Sequence, residues 1–291
     1  MTLLRQRMIE YMQSRNFTPA TQRSYEHYVA EYARYFGRSP ELLDTEAIQQ
    51  YVQHLVASKK QSPETINCCI SALKLLYLKV IEVPWTDEYF PRVRRQSKLP
   101  IVLSQEEVMA FFDHVPGLKN RAALMTCYGA GLRVSEAVAL KVTDIDSKRG
   151  LIRVEQGKGR KDRYAMLSDR LLDALRRYWR ATRPTHYLFP SWKPDRHMSA
   201  ASLQLACREA AAHAGLRRRI TVHGLRHAFA THLLESGTDM RIIQVLLGHS
   251  RMETTTRYAQ VSPQVVAATV SPLDRMDRPV KTKRPDRPPK R

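Results

Sequence analysis

Apolar residues in the first part of the chain recur every three or four positions, which is the spacing of amphipathic helices. Segments 45–58 and 63–81 have this period. In segment 19–36 the apolar stripe consists of Tyr25, Tyr28, Val29, Tyr32 and Phe36. The pattern predicts a bundle of about four helices over residues 1–83.

Two dipeptides in this region mark helix starts. Thr18 precedes Pro19, and Ser62 precedes Pro63. A capping side chain followed by proline at the first helical position is typical of a helix N-terminus. We therefore expect helices to begin at both prolines.

The second part of the chain has a different order of elements. Ser104 and Glu107 have the spacing of a capping box, which predicts that a helix and a second domain begin there. Residues 151–167 contain two short alternating runs around a glycine-containing turn, the pattern of a β-hairpin. Segment 169–268 is helical by periodicity throughout. The predicted fold class is mainly α with a small β-sheet, with an α+β domain over residues 101–270.

Two segments lack helical periodicity. Segment 84–100 contains three prolines and is rich in arginine and lysine, so it is predicted to be a basic linker. A solvated connection and a strap along a phosphate backbone are both consistent with it. The strap is favoured, and it makes Arg94, Arg95 and Lys98 candidate DNA-binding residues. Segment 271–291 has five prolines and eight basic residues and is predicted to be disordered, either as a solubilising tail or as a DNA tether.

Charge restricts the class of partner. The chain has 48 Lys and Arg against 28 Asp and Glu, a formal net charge of +20. Residues 98–291 hold 35 of the basic and 18 of the acidic side chains, and therefore most of the excess. A polyanionic partner follows, with nucleic acid favoured over an anionic membrane surface.

Other sequence features exclude whole classes of protein. No apolar run is long enough to cross a membrane, and the N-terminus lacks the pattern of a signal peptide, so a cytoplasmic location is expected. The cysteines show no CxxC spacing, which argues against a zinc site and for a reducing compartment. They are Cys68, Cys69, Cys127 and Cys207.

Reactive side chains in the second part occur in five short motifs. The motifs are GAGLRVSE with Arg133 and Glu136, GKG with Lys158, HGLRH with His223, Arg226 and His227, LGHS with His249, and TTTRYAQV with Tyr258. Each one alone is also compatible with a solvated helix face or a packed histidine.

Two alternative kinds of site fit these motifs poorly. His223 and His227 could share a helix face as metal ligands, but no third ligand has suggestive spacing and Arg226 would repel a dication. The GKGRK turn lacks the spacing and the Lys-Ser/Thr ending of a phosphate loop. Neither a metal site nor an ATP site is therefore expected.

Taken together and in this order, the five motifs resemble those of the tyrosine recombinase, or phage integrase, family. The resemblance extends to about residue 268. It implies an N-terminal helical core-binding domain of the SAM-like type, a basic linker and a catalytic domain. The implied activity is that of a site-specific DNA recombinase that cuts and rejoins duplex DNA through a covalent 3′-phosphotyrosyl intermediate. Ala130 and Val134 are small departures from the usual pattern.

The resemblance implies that Tyr258 attacks a DNA phosphodiester while Arg133 and Arg226 hold the non-bridging oxygens. Arginine suits this role because its planar, permanently charged group can bind phosphate oxygens in pairs. A free tyrosine has a pKa of about 10, so the nucleophile needs nearby cations and a base.

The resemblance also implies roles for four further residues. His223 is the candidate general acid/base for the tyrosine proton, and Lys158 protonates the departing 5′ oxygen. His249 bonds the phosphate and packs beside the nucleophile, whereas Glu136 supports Arg133. No cofactor is expected, because the phosphotyrosyl link keeps the free energy of the ester for resealing.

Partners follow from the same resemblance. They are double-stranded DNA with paired recombination sites and further copies of the chain, up to a tetramer on DNA, with an accessory protein or second recombinase as an open addition. Residues 265–269 either dock on a neighbouring copy or fold back on their own domain. A Xer-like or mobile-element-borne enzyme is favoured. A type IB topoisomerase-like swivelase and a non-cleaving architectural DNA-binding protein remain as alternatives.

Overall fold

The computed structural model divides into two compact units, Met1–Leu99 and Pro100–Arg291. It describes residues 2–94, 102–155, 162–193, 195–216, 220–248 and 270–274.

The first unit is built from four α-helices, as the periodicity predicts. They are α1 (Leu3–Ser14), α2 (Pro19–Phe36), α3 (Thr45–Ala57) and α4 (Pro63–Leu75), and α4 continues into a π-helical turn over Leu76–Ile81. The hydroxyl of Thr18 accepts a hydrogen bond from the Thr21 backbone at 3.2 Å. The hydroxyl of Ser62 accepts one from Thr65 at 3.3 Å. Both predicted helix starts are confirmed.

An aromatic cluster forms the core of the first unit. Tyr32 from the predicted stripe is fully buried, and its ring packs edge-on against Tyr51 at 5.2 Å between centroids. The hydroxyl of Tyr77 donates to the carbonyl of Pro40 at 2.8 Å, so the buried polar atom is satisfied. The stripe on α2 therefore faces the core, as its spacing predicts.

The first part of the predicted linker is packed on this unit. Phe90 is buried, and Trp85 and Val93 contact the aromatic cluster. The side-chain amide of Asn67 bonds the backbone of Val93 in both directions, at 2.9 and 3.0 Å. The structure thus differs from a free connection as far as residue 94. Arg94 is exposed, while Arg95 and Lys98 lie outside the described residues.

The second unit contains the remaining helices and a small sheet. The helices are α5 (Gln105–Asp113), α6 (Leu118–Gly129), α7 (Val134–Ala139), α8 (Asp169–Thr182), α9 (Ala200–His213), α10 (Val222–Glu235) and α11 (Met240–Leu247), and the strands are β1 (Ile145–Asp146), β2 (Leu151–Val154) and β3 (Arg163–Met166). The sheet order is β1-β2-β3 and both pairings are antiparallel. The predicted fold class and hairpin are confirmed, and the hairpin tip with Lys158 lies outside the described residues.

Local signals predict the start of α5 correctly but overestimate helix further on. Ser104 and Glu107 form the capping box, with bonds of 3.2 and 2.9 Å between each side chain and the other's backbone. By contrast, residues 183–193 and 195–199 are not helical, although helix was predicted throughout 169–268, of which 249–268 lie outside the described residues. Arg183 ends α8 in the left-handed conformation, and the prolines that follow cannot continue a helix.

Residues 270–274 pack on the second unit. The hydroxyl of Ser271 donates to the carbonyl of Gly129 at 3.0 Å, and Leu273 is buried in the core beside Gly129. Residues 271–274 therefore differ from the expectation that 271–291 are disordered, because this short segment packs on a complementary surface, while residues 275–291 lie outside the described residues. Among the described helices, none is both long enough and apolar enough to cross a bilayer.

Leu273→Ala is expected to lower the free energy of unfolding by about 2 kcal/mol, because it removes a buried side chain and leaves a cavity. Urea unfolding of the full chain measures the change. Leu205→Ala is the matched control, since Leu205 is 47% exposed and lies outside the core. Equal losses in the two variants would show that residues 270–274 do not pack as described.

Candidate active site

Two turns and one helix bring together the described residues of three motifs, which are GAGLRVSE, HGLRH and LGHS. Arg133 is the N-cap residue of α7, directly after the turn that contains Gly131. Gly131 has φ +61°, and a Cβ atom there would lie 2.6 Å from ring carbons of Phe229 on α10. Only glycine fits this conformation and this close approach. The glycine of the Gly-Leu-Arg motif therefore lets the turn pack against α10, the helix that carries Arg226.

Glu136 lies at the centre of the site and contacts three guanidinium groups. Its Oε1 accepts from Arg133 Nη1 at 2.7 Å, and its Oε2 accepts from the Arg133 backbone at 2.8 Å and from Arg163 Nη2 at 2.7 Å. Arg226 Nη1 lies 3.6 Å from the same Oε2. One carboxylate thus neutralises only part of the charge of this cluster, which we call the guanidinium cluster (Arg133, Arg163, Arg226 and Glu136).

The environment of Glu136 favours its ionised form. Its side chain is only 6% exposed, and burial alone would raise the pKa of the carboxyl. The positive charge of Arg163 and the charge and hydrogen bonds of Arg133 outweigh burial and lower this pKa below its ordinary value. The carboxylate is therefore charged at neutral pH.

Arg226 is the most deeply buried member of the cluster, with its side chain 4% exposed. Its Nη1 donates to the carbonyl of Gly131 at 2.5 Å, and its Nη2 donates to the carbonyl of Leu247. Burial, together with the charge of Arg133, lowers the pKa of Arg226 to about 10, so it stays protonated at neutral pH. These bonds hold the guanidinium in one orientation between the turn after α6 and the end of α11.

Arg133 is the member of the cluster most open to solvent, because 24% of its side chain is exposed. Its Nη2 donates to the carbonyl of Gly248 at 3.3 Å. Gly248 ends α11 and directly precedes His249. Arg133 therefore binds the backbone of the glycine in the LGHS motif, one residue before His249.

His223 lies in the first turn of α10, one helical turn before Arg226, and is exposed. Partial desolvation lowers the pKa of its imidazole, and the charges of Arg226, His227 and Arg133 lower it further. The positive end of the helix dipole acts in the same direction. His223 is therefore neutral at pH 7 and able to accept a proton.

The structure assembles one part of the predicted site. Arg133 and Arg226 both contact Glu136, and His223 is within electrostatic range of both arginines. Lys158, His249 and Tyr258 lie outside the described residues. Within the described ranges no group of three or more His, Cys, Asp or Glu side chains has the geometry to hold a metal ion.

Arg163, the third guanidinium of the cluster, lies outside the five motifs and was not predicted as a site residue. Arg163 opens β3, where Ala165 two positions on is fully buried. Because side chains alternate along a strand, Arg163 shares the inward face with Ala165. That alternation along the predicted strand could have indicated from the sequence that the side chain of Arg163 is directed to the interior.

The cluster is suited to bind an anion with several oxygen atoms. Its guanidinium groups are fixed by hydrogen bonds before any ligand arrives, and Arg133 is partly open to solvent. Preorganised cationic donors in a largely buried position stabilise charge that develops on a phosphate during a reaction. The arrangement therefore fits phosphoryl transfer.

Two family models match this chain, one in each of its two units. Residues 102–264 match the model of the phage integrase family, and residues 4–87 match that of the phage integrase N-terminal SAM-like domain. The second match confirms the SAM-like character predicted for the helical N-terminal domain.

Three similar proteins illustrate the range of relatives. "Putative integrase/recombinase y4qK" of Sinorhizobium fredii is 47% identical over 99% of this chain and 94% of its own length. "Tyrosine recombinase XerA" of Thermococcus kodakarensis is 34% identical over 87% of this chain and 88% of its own. The crystal structure of a lambda integrase dimer bound to a COC′ core site, at 18% identity, covers 90% of this chain and all of that chain, with a TM-score of 0.70, and it supports the fold.

Glu136→Gln is expected to lower the free energy of unfolding at pH 7 by about 3 kcal/mol, because it leaves buried guanidinium groups without their counter-charge. The folded-state pKa of Glu136 is lowered, so its contribution is complete above the ordinary value of 4.5 and is lost as pH falls through the lower folded value. Urea unfolding of both proteins between pH 3 and 7 should therefore show a gap that is constant above about pH 5 and narrows below it.

Glu155→Gln is the control for this measurement, since Glu155 is 35% exposed and pairs with Lys141. It should change stability by less than about 1 kcal/mol. A gap for Glu136→Gln that is independent of pH would contradict the assignment of the stabilising charge to this carboxylate.

Proposed function

Because the chain belongs to the phage integrase family of tyrosine recombinases, it is a site-specific enzyme that breaks and rejoins DNA strands, and we propose that its reaction takes place on the guanidinium cluster with Tyr258 as nucleophile. The observation that carries the proposal is the arrangement of Arg133 and Arg226, two fixed guanidinium groups whose shared carboxylate leaves net positive charge. These two arginines bind the non-bridging oxygens of the scissile phosphate.

In the cleavage step the phenolic oxygen of Tyr258 bonds to phosphorus, and the bond from phosphorus to the 5′ oxygen breaks. The 3′ phosphate remains esterified to the tyrosine. His223 accepts the phenolic proton, and Lys158 donates a proton to the departing 5′ oxygen, so a free 5′ hydroxyl is left.

Rejoining reverses these movements. A 5′ hydroxyl of the partner strand attacks the phosphotyrosine, and the phenol leaves with its proton restored. One ester is exchanged for another in each step, so the reaction needs no nucleotide cofactor. His249 adds a hydrogen bond to the phosphate, and Glu136 keeps Arg133 in place.

Binding of the DNA is shared between the two units. Residues 1–83 act as the core-binding domain and residues 101–270 as the catalytic domain, with the basic segment 84–100 between them. Arg94, Arg95 and Lys98 contact the phosphate backbone. The net charge of +20 supports a partner with many phosphates, and the exposed position of Arg94 is consistent with such a contact.

The complete reaction requires assembly on DNA in the cytoplasm. Exchange of strands between two recombination sites needs four copies of the chain, one for each strand that is cut. Residues 265–269 help to hold neighbouring copies together in this tetramer. A second recombinase or an accessory protein would act at this stage.

Tyr258→Phe is expected to bind DNA normally and to form no covalent adduct, because the nucleophilic oxygen is missing. The substrate is a pool of duplexes first enriched for binding to the protein and then nicked next to the cleavage position. Loss of the short fragment beyond the nick traps the wild type as an SDS-resistant adduct with a 3′ phosphate. An adduct of equal yield in both proteins would rule out Tyr258 as the nucleophile.

A plasmid-relaxation assay and the adduct assay together separate the alternative activities. Relaxation of supercoiled plasmids of any sequence, without site pairing, would indicate a swivelase. Tight binding to the enriched duplexes with no adduct from the wild type would indicate an architectural DNA-binding protein.

His223→Gln is expected to slow cleavage by about 10² to 10⁴-fold at pH 7.5, because the proton acceptor is lost. The pKa of His223 lies below the ordinary 6.5. Titration of His223 should therefore leave the wild-type rate independent of pH around neutrality and lower it only at more acidic pH. Single-turnover rates at subsaturating protein report this free-enzyme pKa. The variant should lack the acid limb, and an identical limb in both proteins would contradict the role of His223.

A further inference from the structure

We propose that Arg163 is a positioning residue of this active site, which fixes both the Glu136 carboxylate and the turn at Gly248 and thereby holds Arg133 in the orientation needed for cleavage. The inference rests on the function proposed above. Three observations on the strand β3, on the turn after α11 and on the guanidinium itself support it.

The first observation is the contact with Glu136. Arg163 is the first residue of β3, where it pairs with Val154. Its side chain is 12% exposed, and its Nη2 donates to Glu136 Oε2 at 2.7 Å. The other carboxylate oxygen of Glu136 binds Arg133. The guanidinium groups of Arg163 and Arg133 therefore bind different oxygens of the same carboxylate.

The second observation is the close approach of Arg163 to Gly248. A Cβ atom at Gly248 would lie 2.6 Å from Arg163 Nε and 2.8 Å from its Cδ. Gly248 has φ +61°, which also favours glycine. The carbonyl of this same residue accepts from Arg133 Nη2. Arg163 thus packs against the turn that Arg133 binds and from which the chain continues to His249.

The third observation is an unsatisfied donor. Arg163 Nη1 is fully buried and has no hydrogen-bond partner among the residues that the structure describes. A buried N–H without a partner destabilises the folded state, and burial of the guanidinium itself lowers the pKa of Arg163. A methionine of similar length would fill this space without either penalty. Packing alone therefore does not account for an arginine here, whereas its charge on Glu136 does.

Together these contacts link three parts of the site through one side chain. Arg163 comes from the strand that returns from the Lys158 hairpin, Glu136 is one turn after Arg133, and Gly248 directly precedes His249. Without Arg163, Glu136 would be shared only by Arg133 and Arg226, and both would be drawn towards it instead of towards a phosphate. Displacement of a binding group by about 1 Å can reduce a rate by about 10²-fold.

The test compares single-turnover cleavage of the nicked, binding-enriched duplexes by the wild type, Arg163→Met, Glu136→Gln and the double variant. We expect Arg163→Met to cleave about 10²-fold more slowly than the wild type while its Kd for the duplex stays within about twofold, because the side chain is buried and acts after binding. Since Arg163 acts in large part through Glu136, the loss in the double variant should be much smaller than the product of the two single losses.

Two controls separate this role from a general loss of structure. Arg153 lies on the adjacent strand β2, where its side chain is 45% exposed and pairs with Asp144 and Glu155. The Arg153→Met variant should therefore cleave like the wild type. Arg163→Lys keeps the charge beside Glu136, so it should cleave about tenfold faster than Arg163→Met. If Arg163→Met does not fold, the lysine variant supplies the comparison, and its loss of cleavage must then appear without a change in Kd.

The possible results distinguish failure of the proposed function from failure of the role of Arg163. A wild type that forms no adduct would overturn the proposed function and this inference together. A wild type that cleaves, with Arg163→Met and Arg163→Lys both at the wild-type rate, would overturn the role of Arg163 alone. So would a double variant whose loss is the product of the two single losses, because Arg163 would then act independently of Glu136.

Discussion

The second unit depends on one electrostatic constraint, which is that a single buried carboxylate serves three guanidinium groups. Glu136 binds Arg133 and Arg163 directly and lies near Arg226. Buried charges of one sign must be paired or must find a ligand. Because one negative charge cannot neutralise three positive ones, the folded protein retains a fixed, positively charged site. Binding of a phosphate would complete the pairing, and this is the basis of our proposal that strand cleavage takes place on the cluster.

The backbone around the cluster is arranged to bring these charges close. Gly131 lets its turn approach Phe229, and Gly248 leaves room for Arg163. Arg226 donates to the carbonyls of both the Gly131 turn and the end of α11, so one side chain fixes two loops that are distant in sequence. The glycines thus let segments approach closely enough for the charged groups to meet. Gly131 packs against α10, which carries Arg226, and Gly248 packs against Arg163.

The sequence predicts those features that depend on neighbouring residues. The caps at Thr18 and Ser62, the capping box at Ser104 and the hairpin all arise from local chemistry, and all are confirmed. Contacts between distant segments were not predictable in this way, as the packing of Phe90 and of residues 271–274 shows. Arg133, Glu136 and Arg226 were identified through their motifs, whereas Arg163 lies outside the five motifs, and its contacts with Glu136 and Gly248 join segments that are distant in sequence.

The central claim is that the guanidinium cluster is the binding site of the scissile phosphate. A crystal structure of the Tyr258→Phe protein on a duplex that carries its recombination site tests it most directly. The account predicts non-bridging oxygens of the scissile phosphate within about 3 Å of guanidinium nitrogens of Arg133 and Arg226, with Glu136 still bound to Arg163. A scissile phosphate held by other residues, with no DNA oxygen near either arginine, would contradict the account.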